Sequence, residues 1–151
     1  MRAVIQRVSD AAVVVDDRVV GTIGAGLVVL VGVIVGDGPA DAVAVASKIS
    51  GLRIFRDRQQ RMNLSVGDIG GSVLVVSQFT LAGDVRRGRR PSFASAETPE
   101  LAEPLVAAVC DHLVADGIRV ERGVFGADMA VSLVNDGPVT IIIETREGVV
   151  V

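Results

Sequence analysis

The sequence predicts one compact α/β domain, rich in strands arranged as mixed sheets and carrying two main helices. Three observations lead there. The chain has 151 residues, a length usual for a single domain. Half of the residues are hydrophobic, but only 3% are aromatic and Trp and Tyr are missing. The core must therefore be built from Val, Ile, Leu and Ala, and β-branched side chains favour a pleated, packed surface. Against that background two stretches, beginning at Pro39 and Pro99, carry helix-start chemistry.

The elements follow in order. Val4 to Val8 and Ala11 to Val15 read as strands, Asp16-Asp17 as a turn, and Val19 to Ile23 as the returning arm of a hairpin. Leu27 to Val33 is apolar on both faces, as a central covered strand should be. Pro39 suits the first helical position, where its missing N–H has no partner to lose. Val43, Ala46, Ile49 and Leu52 then recur at helical spacing. Arg53 to Arg56 and Met62 to Val66 are short strands around a polar turn, and Val73 to Phe79 is a second buried strand. Ala82 to Ala96 has no apolar periodicity and reads as a surface loop. The second helix has Thr98 as N-cap, Pro99 at its first position and Gly117 past its end, with Leu101, Leu105, Ala108 and Val109 or His112 on its inner face. Ile118 to Glu121, Met129 to Val134 and Val139 to Glu144 complete the strands. The order is roughly βββα-βββα-βββ.

Several function classes are excluded or disfavoured. No apolar run approaches the roughly 18 residues that span a bilayer, so no membrane association is expected. The N-terminus lacks the order of a secretory signal, and the single Cys110 cannot form an intramolecular disulfide. A reducing cytoplasm is the compartment expected. The net charge of −3 argues against a general nucleic-acid coat, though a local basic face such as Arg86, Arg87, Arg89 and Arg90 is compatible with an RNA partner. There is one histidine, His112, and no Cys or His pair at metal-ligand spacing. Neither the phosphate-loop nor the dinucleotide glycine pattern occurs. No cofactor and no metal are expected.

What remains is a set of polar groups at strand ends. Ser77, Gln78 and Thr80 stand where one buried strand leaves the core, and backbone N–H groups there suit an oxyanion site. Asn135-Asp136-Gly137-Pro138 stands at the exit of another. Composition and position alone favour two ordinary loops over a site. They likewise favour a solvated loop over an RNA contact for Arg86 to Arg90.

Ser77-Gln78-Phe79-Thr80-Leu81 and Asn135-Asp136-Gly137-Pro138-Val139-Thr140 resemble the paired signature motifs of the bacterial-type D-aminoacyl-tRNA deacylases. The resemblance extends in order through Met1 to Val8, Met62 to Ser65, Gly88 to Phe93 and Gly123 to Met129. It implies the fold of that family, a homodimer with active sites at the subunit interface, and hydrolysis of the ester of D-aminoacyl-tRNA. It further implies a cis Gly137–Pro138 bond reaching into the neighbouring subunit's site. Parallel carbonyls there would hold the substrate's α-ammonium, while the same edge would collide with an L side chain, so D-residues and glycine would pass. Ser77, Gln78, Phe79 and Thr80 would form the catalytic segment, with the tRNA's own 2′-hydroxyl assisting and Thr80 supporting rather than attacking. Asn135, Phe125 and Met129 would join the substrate site, the latter two at its adenosine end, and Arg86, Arg87, Arg89 and Arg90 would meet acceptor-stem phosphates.

The chain departs from the family pattern at Ala82-Gly83, at the Arg- and Gln-rich stretch from Arg56 to Arg61, and in its tail beyond Glu144. Two rivals stand beside this reading: a related editing enzyme with a trans Gly-Pro that tolerates small L-residues, and a non-catalytic dimeric RNA-binding domain.

Overall fold

The computed structural model describes residues 1–151. In chain order the elements are β1 (Arg2–Val15), β2 (Arg18–Ile23), β3 (Gly26–Gly32), α1 (Pro39–Gly51), β4 (Phe55–Arg56), β5 (Met62–Leu64) and β6 (Ser72–Ser77). A short 3-10 turn (Phe79–Ala82), α2 (Pro99–Ala115), β7 (Arg119–Arg122), β8 (Ala130–Arg146) and β9 (Val149–Val150) follow. The coarse order βββα-βββα-βββ is the one observed, although β9 was not expected and the strands expected at the two ends of the chain are divided differently. Seven strands make one mixed sheet, β7-β6-β3-β1-β8-β9, with β2 paired to β1 beyond the end of β3. β3, β6 and β7 run parallel, and β1 is antiparallel to its neighbours.

Two expected breaks are bends instead. β1 runs unbroken through Ser9-Asp10, with irregular pairing to β8 between Gln6 and Val8 and again between Val8 and Asp10. Such bulges bend a strand without ending it, so polar residues there do not stop it. The bend also changes the face β1 buries. Ala3 and Ile5 join the larger core beneath the helices, whereas Val8, Ala11 and Val13 join a smaller core on the other face of β3 and β6. β8 is likewise one long strand where two were expected. Gln6 pairs with Thr140 and Val8 with Asn135, so the residues from Asp136 to Val139 bulge out opposite Arg7.

Both helices start where their prolines predicted, but each is turned relative to the expected face. α1 buries Ala42, Val45, Ala46 and Ile49, leaving Val43 exposed. α2 buries Ala102, Val106, Val109, Cys110 and Leu113, leaving Leu101 and His112 outside. The helices pack on each other as well as on the sheet, and the faces carrying alanines allow the closer approach. Each Val or Leu fully buried there contributes about 1.5–3 kcal/mol.

One glycine is a packing requirement. Gly26 opens β3 against β6, and a Cβ placed on it would lie 1.9 Å from the Ser72 carbonyl oxygen. This contact brings the parallel pair together, and its far end places the site.

Candidate active site

The carboxyl ends of parallel strands are where open α/β sheets most often bind ligands. Here β3 and β6 end together, with Val31 paired to Ser77 and the Gln78 amide donating to the Val31 carbonyl at 2.7 Å. The chain then tightens into the 3-10 turn, whose own hydrogen bonds begin with Leu81 N–H to Gln78 O at 3.1 Å. The Phe79 and Thr80 amides precede that bonding, as the first donors of any helical turn do. Gly32 makes the approach possible, because a Cβ there would meet the Gln78 oxygen and the Leu81 Cβ, each at 2.8 Å.

Beside this turn lies a cavity of about 580 Å³. Val31, Val33, Val76, Ala102 and Val106 give it an apolar floor, and Ser77, Gln78 and Phe79 form one wall. The segment from Phe125 to Met129 forms another. Five expected site residues thus gather around one space: Ser77, Gln78, Phe79, Phe125 and Met129. Thr80, Asn135, Gly137 and Pro138 do not line it. Thr80 instead accepts a hydrogen bond on Oγ1 from Gln78 Nε2 at 2.5 Å.

Asn135, Gly137 and Pro138 belong to the β8 bulge. The Gly137–Pro138 peptide is cis, and Gly137 has φ +126°. Both residues are exposed. Asn135 closes the bulge over itself: its Oδ1 accepts from Val139 N–H at 2.9 Å, and its Nδ2 donates to Gln6 Oε1 at 2.6 Å. Thr140 Oγ1 donates to the same Gln6 oxygen. Asn135 is therefore a brace for the bulge in this chain.

The sequence reading missed Arg7. Its side chain is 1% exposed and lies directly beneath the bulge. Nε donates to the Asp136 carbonyl at 3.1 Å and pairs with Asp136 Oδ2 at 3.0 Å, while Nη1 donates to the Ile54 carbonyl. Nη2 has no protein acceptor, and a Cβ on Gly137 would lie 2.8 Å from it. A charged residue within the stretch from Val4 to Val8 was the available signal. Its partners are 47 and 129 residues distant in sequence, so no local pattern reveals them.

The Arg86–Arg90 loop rises from the 3-10 turn and returns through an isolated bridge between Asp84 and Ser92. Phe93 then packs edge-on against Phe79, with ring centroids 5.2 Å apart. Arg86 is clamped by Asp84, whose carboxylate accepts from Nε and Nη2 and from the Arg86 backbone amide. That guanidinium holds the Asp84 carboxyl down at about 2. Arg87, Arg89 and Arg90 are exposed and carry no ion pair.

Ionisable groups are scarce around the cavity. Glu97 and Asp128 line it, and Glu97 Oε1 is engaged by the Thr98 amide at 2.8 Å. His112 is on the outer face of α2. Cys110 is buried, and desolvation pushes its thiol up, away from the reactive thiolate. No group of three or more His, Cys, Asp or Glu side chains is placed to hold a metal ion, and no helix is long and apolar enough to cross a membrane.

A cavity lined mostly by hydrophobic side chains at the carboxyl ends of two parallel strands is a ligand site of the kind that small α/β enzymes carry. Comparison with known proteins makes this specific. The family model described as D-Tyr-tRNA(Tyr) deacylase matches residues 4–144. The chain is 58% identical over 146 residues to the D-aminoacyl-tRNA deacylase of Anaeromyxobacter dehalogenans, covering 97% of this chain and 98% of that one. It is 57% identical over 148 residues to that of Heliobacterium modesticaldum, covering 98% and 99%. A solved structure of a c-Myc DNA Unwinding Element Binding Protein superposes with TM-score 0.90 at 37% identity, over 97% of this chain and 99% of that one. A second, described as a probable eukaryotic D-amino acid tRNA deacylase, shares the fold, with TM-score 0.80 at 19% identity over 93% and 97%. The chain belongs to the D-Tyr-tRNA deacylase family and is a hydrolase of the proofreading type, acting on D-aminoacyl-tRNA.

Proposed function

We propose that the chain edits D-aminoacyl-tRNA as a homodimer in the cytoplasm, each cavity being completed by the Gly137–Pro138 bulge of the neighbouring subunit. The observation that carries this is the separation of the two halves of the site. Ser77, Gln78, Phe79, Phe125 and Met129 surround the cavity, while Asn135, Gly137 and Pro138 stand outside it on an exposed, braced bulge.

In this reading the terminal adenosine lies along Phe125 and Met129, and the ester carbonyl faces the amides that begin the Phe79–Ala82 turn. Such donors stabilise the oxyanion formed as water adds to the carbonyl. Collapse of that intermediate breaks the bond to the ribose oxygen, releasing the amino acid and tRNA. The adjacent 2′-hydroxyl of the RNA assists the water, since the cavity supplies no histidine. Thr80, bonded to Gln78, holds the turn's shape. The bulge carbonyls take the α-ammonium, and the bulge excludes an L side chain by collision; glycine, lacking one, is accepted. Arg87, Arg89 and Arg90 contact RNA phosphates, with Arg86 tied to Asp84.

The test of the chemistry is D-aminoacyl-tRNA ending in 2′-deoxyadenosine. Turnover should fall by orders of magnitude, and undiminished turnover would reject the RNA-assisted step. The test of the gate is D-alanyl against L-alanyl ester on the same tRNA, where comparable rates would favour the L-tolerant rival.

A further inference from the structure

The β4–β5 hairpin belongs to no part of the site described so far, yet it is a strongly basic projection on an acidic chain. Residues 53–64 hold four arginines, Arg53, Arg56, Arg58 and Arg61, against the single carboxylate of Asp57. That carboxylate is turned inward: Oδ1 accepts from the Gln59 amide at 2.8 Å and the Arg61 amide at 3.0 Å. These bonds hold its pKa low, so it stays ionised and structural. Arg53 is consumed at the base of the hairpin, donating from Nε to the Asn63 carbonyl at 2.7 Å and from Nη2 to its side chain. Arg56, Arg58 and Arg61 are exposed and make no ion pair or side-chain hydrogen bond.

The turn is also stiff. The Asp57 amide donates to the Arg61 carbonyl and the Gln60 amide to the Asp57 carbonyl, both at 2.9 Å. Gln60 sits at φ +63°, a conformation for which glycine is the ordinary choice. The chain thus presents a side chain at every position of the turn, with two glutamines between Arg58 and Arg61. Its root is fixed to the bulge, because Arg7 donates to Ile54, just before β4, and to Asp136, just before Gly137. One guanidinium spans the two segments.

We propose that this hairpin is an RNA-backbone clamp, in which Arg56, Arg58 and Arg61 contact phosphates of the tRNA whose 3′ end is held at the Gly137–Pro138 bulge. The proposal rests on the reading that this bulge serves the substrate site. A net charge of −3 repels RNA at long range, so contact must come from local cationic projections. Fourteen of the fifteen cationic side chains are arginines, whose planar fork matches phosphate oxygens. The two glutamine amides suit ribose hydroxyls.

The test compares the wild type with Arg58→Gln/Arg61→Gln and with the charge-preserving Arg58→Lys/Arg61→Lys. The first readout is binding of uncharged tRNA transcript across a salt series. Each phosphate contact contributes about threefold to the loss of affinity between about 50 and 200 mM salt. The wild type should therefore weaken about tenfold more than the glutamine variant over that range, and the lysine variant should keep most of the wild-type slope. The second readout is hydrolysis of a D-aminoacyl ester on a CCA trinucleotide, which has no stem phosphates and should be cleaved equally by all three. Equal salt slopes for the wild type and the glutamine variant would overturn the clamp. So would an equal loss on tRNA and trinucleotide, which would place the arginines at the reacting end. Failure of every protein to cleave the trinucleotide, with the tRNA slopes still different, would count against the reading of the site and leave the clamp standing.

Discussion

Replacing Arg7 by Met separates what this buried cation does for stability from what it does for position. Breaking a buried ion pair commonly costs about 3–5 kcal/mol, because an uncompensated charge stays behind. Here the charge left behind is Asp136, whose side chain is 52% exposed, so water can take over its solvation. The Asp136 carbonyl also loses its donor but belongs to an exposed residue that water can reach. The carbonyl of Ile54, a residue 7% exposed, is therefore the buried group left stranded, at about 1–3 kcal/mol. Against that, the substitution removes Arg7 Nη2, a buried donor without a protein acceptor, which already costs the wild type a similar amount. Methionine fills much of the space. The two costs largely offset, and denaturant unfolding of Arg7→Met should lie within about 2 kcal/mol of wild type. Position is another matter, since the same guanidinium ties Asp136 to Ile54, and a misplacement of about 1 Å can lower a rate about 100-fold. D-aminoacyl-tRNA hydrolysis should therefore fall by about that factor while the fold survives. A loss of more than about 4 kcal/mol would refute the desolvation argument, and full activity would refute the positioning role.

Three further outcomes follow from local geometry. Gly26→Ala drives a Cβ to 1.9 Å from the Ser72 oxygen, so β3 and β6 must part; soluble expression or thermal melting should report a loss of several kcal/mol, above the usual range of about 0.5–3 for single substitutions. Asp84 titrates at about 2, below its ordinary 3.8, so its contribution to loop order is present above the ordinary value and disappears only as pH falls through about 2. Carboxyl-carbon NMR should place the midpoint there and find it raised toward the ordinary value in Arg86→Ala. Cys110 is 2% exposed with its thiol pushed up by desolvation, so a thiol reagent at neutral pH should leave the native protein unmodified and label it once denatured.

How far the sequence revealed this molecule depends on the range of the forces involved. Pro39 and Pro99 mark the helix starts through a missing N–H, a local fact, and both helices begin there. The Asp16-Asp17 turn is equally local, and both residues have positive φ. The inner face of each helix is not local. Two apolar stripes were available on α1, sharing Ala46 and Ile49, and packing between the helices selected the one through Ala42 and Val45. The strand breaks were misjudged for a related reason. Ser9-Asp10 and Asn135-Asp136-Gly137-Pro138 look like turns, yet pairing continues on both sides of each because β1 and β8 supply the hydrogen bonds across the irregularity. Within the site, the Ser77–Phe79 wall was legible from its strand exit, and the part played by Asn135 as a brace was not. It depends on Gln6, 129 residues away.

The placement of Gly137–Pro138 inside a strand also bears on how an editing site selects by chirality. D- and L-aminoacyl esters carry the same groups and differ only in which of two directions the side chain takes. With the ammonium and the ester both held, the two differ in where the side chain points. A site that accepts many side chains therefore discriminates by an obstacle on one side rather than by a contact to the side chain. An obstacle that yields discriminates poorly, because a loop can move aside at little cost when few contacts hold it. A bulge between two paired stretches of β8 is held differently. Its ends are anchored by the ladder to β1, Asn135 bonds across it to Val139, and Arg7 fastens Asp136 from below. A Cβ on Gly137 would strike Arg7 and Val139 within 3 Å, so this backbone has little room to shift toward its own core. In the proposed dimer an L side chain would have to displace the whole braced segment. The enzyme's selectivity would then reside in the stiffness of a strand distortion, and its catalytic wall could remain free of any group that recognises a particular amino acid.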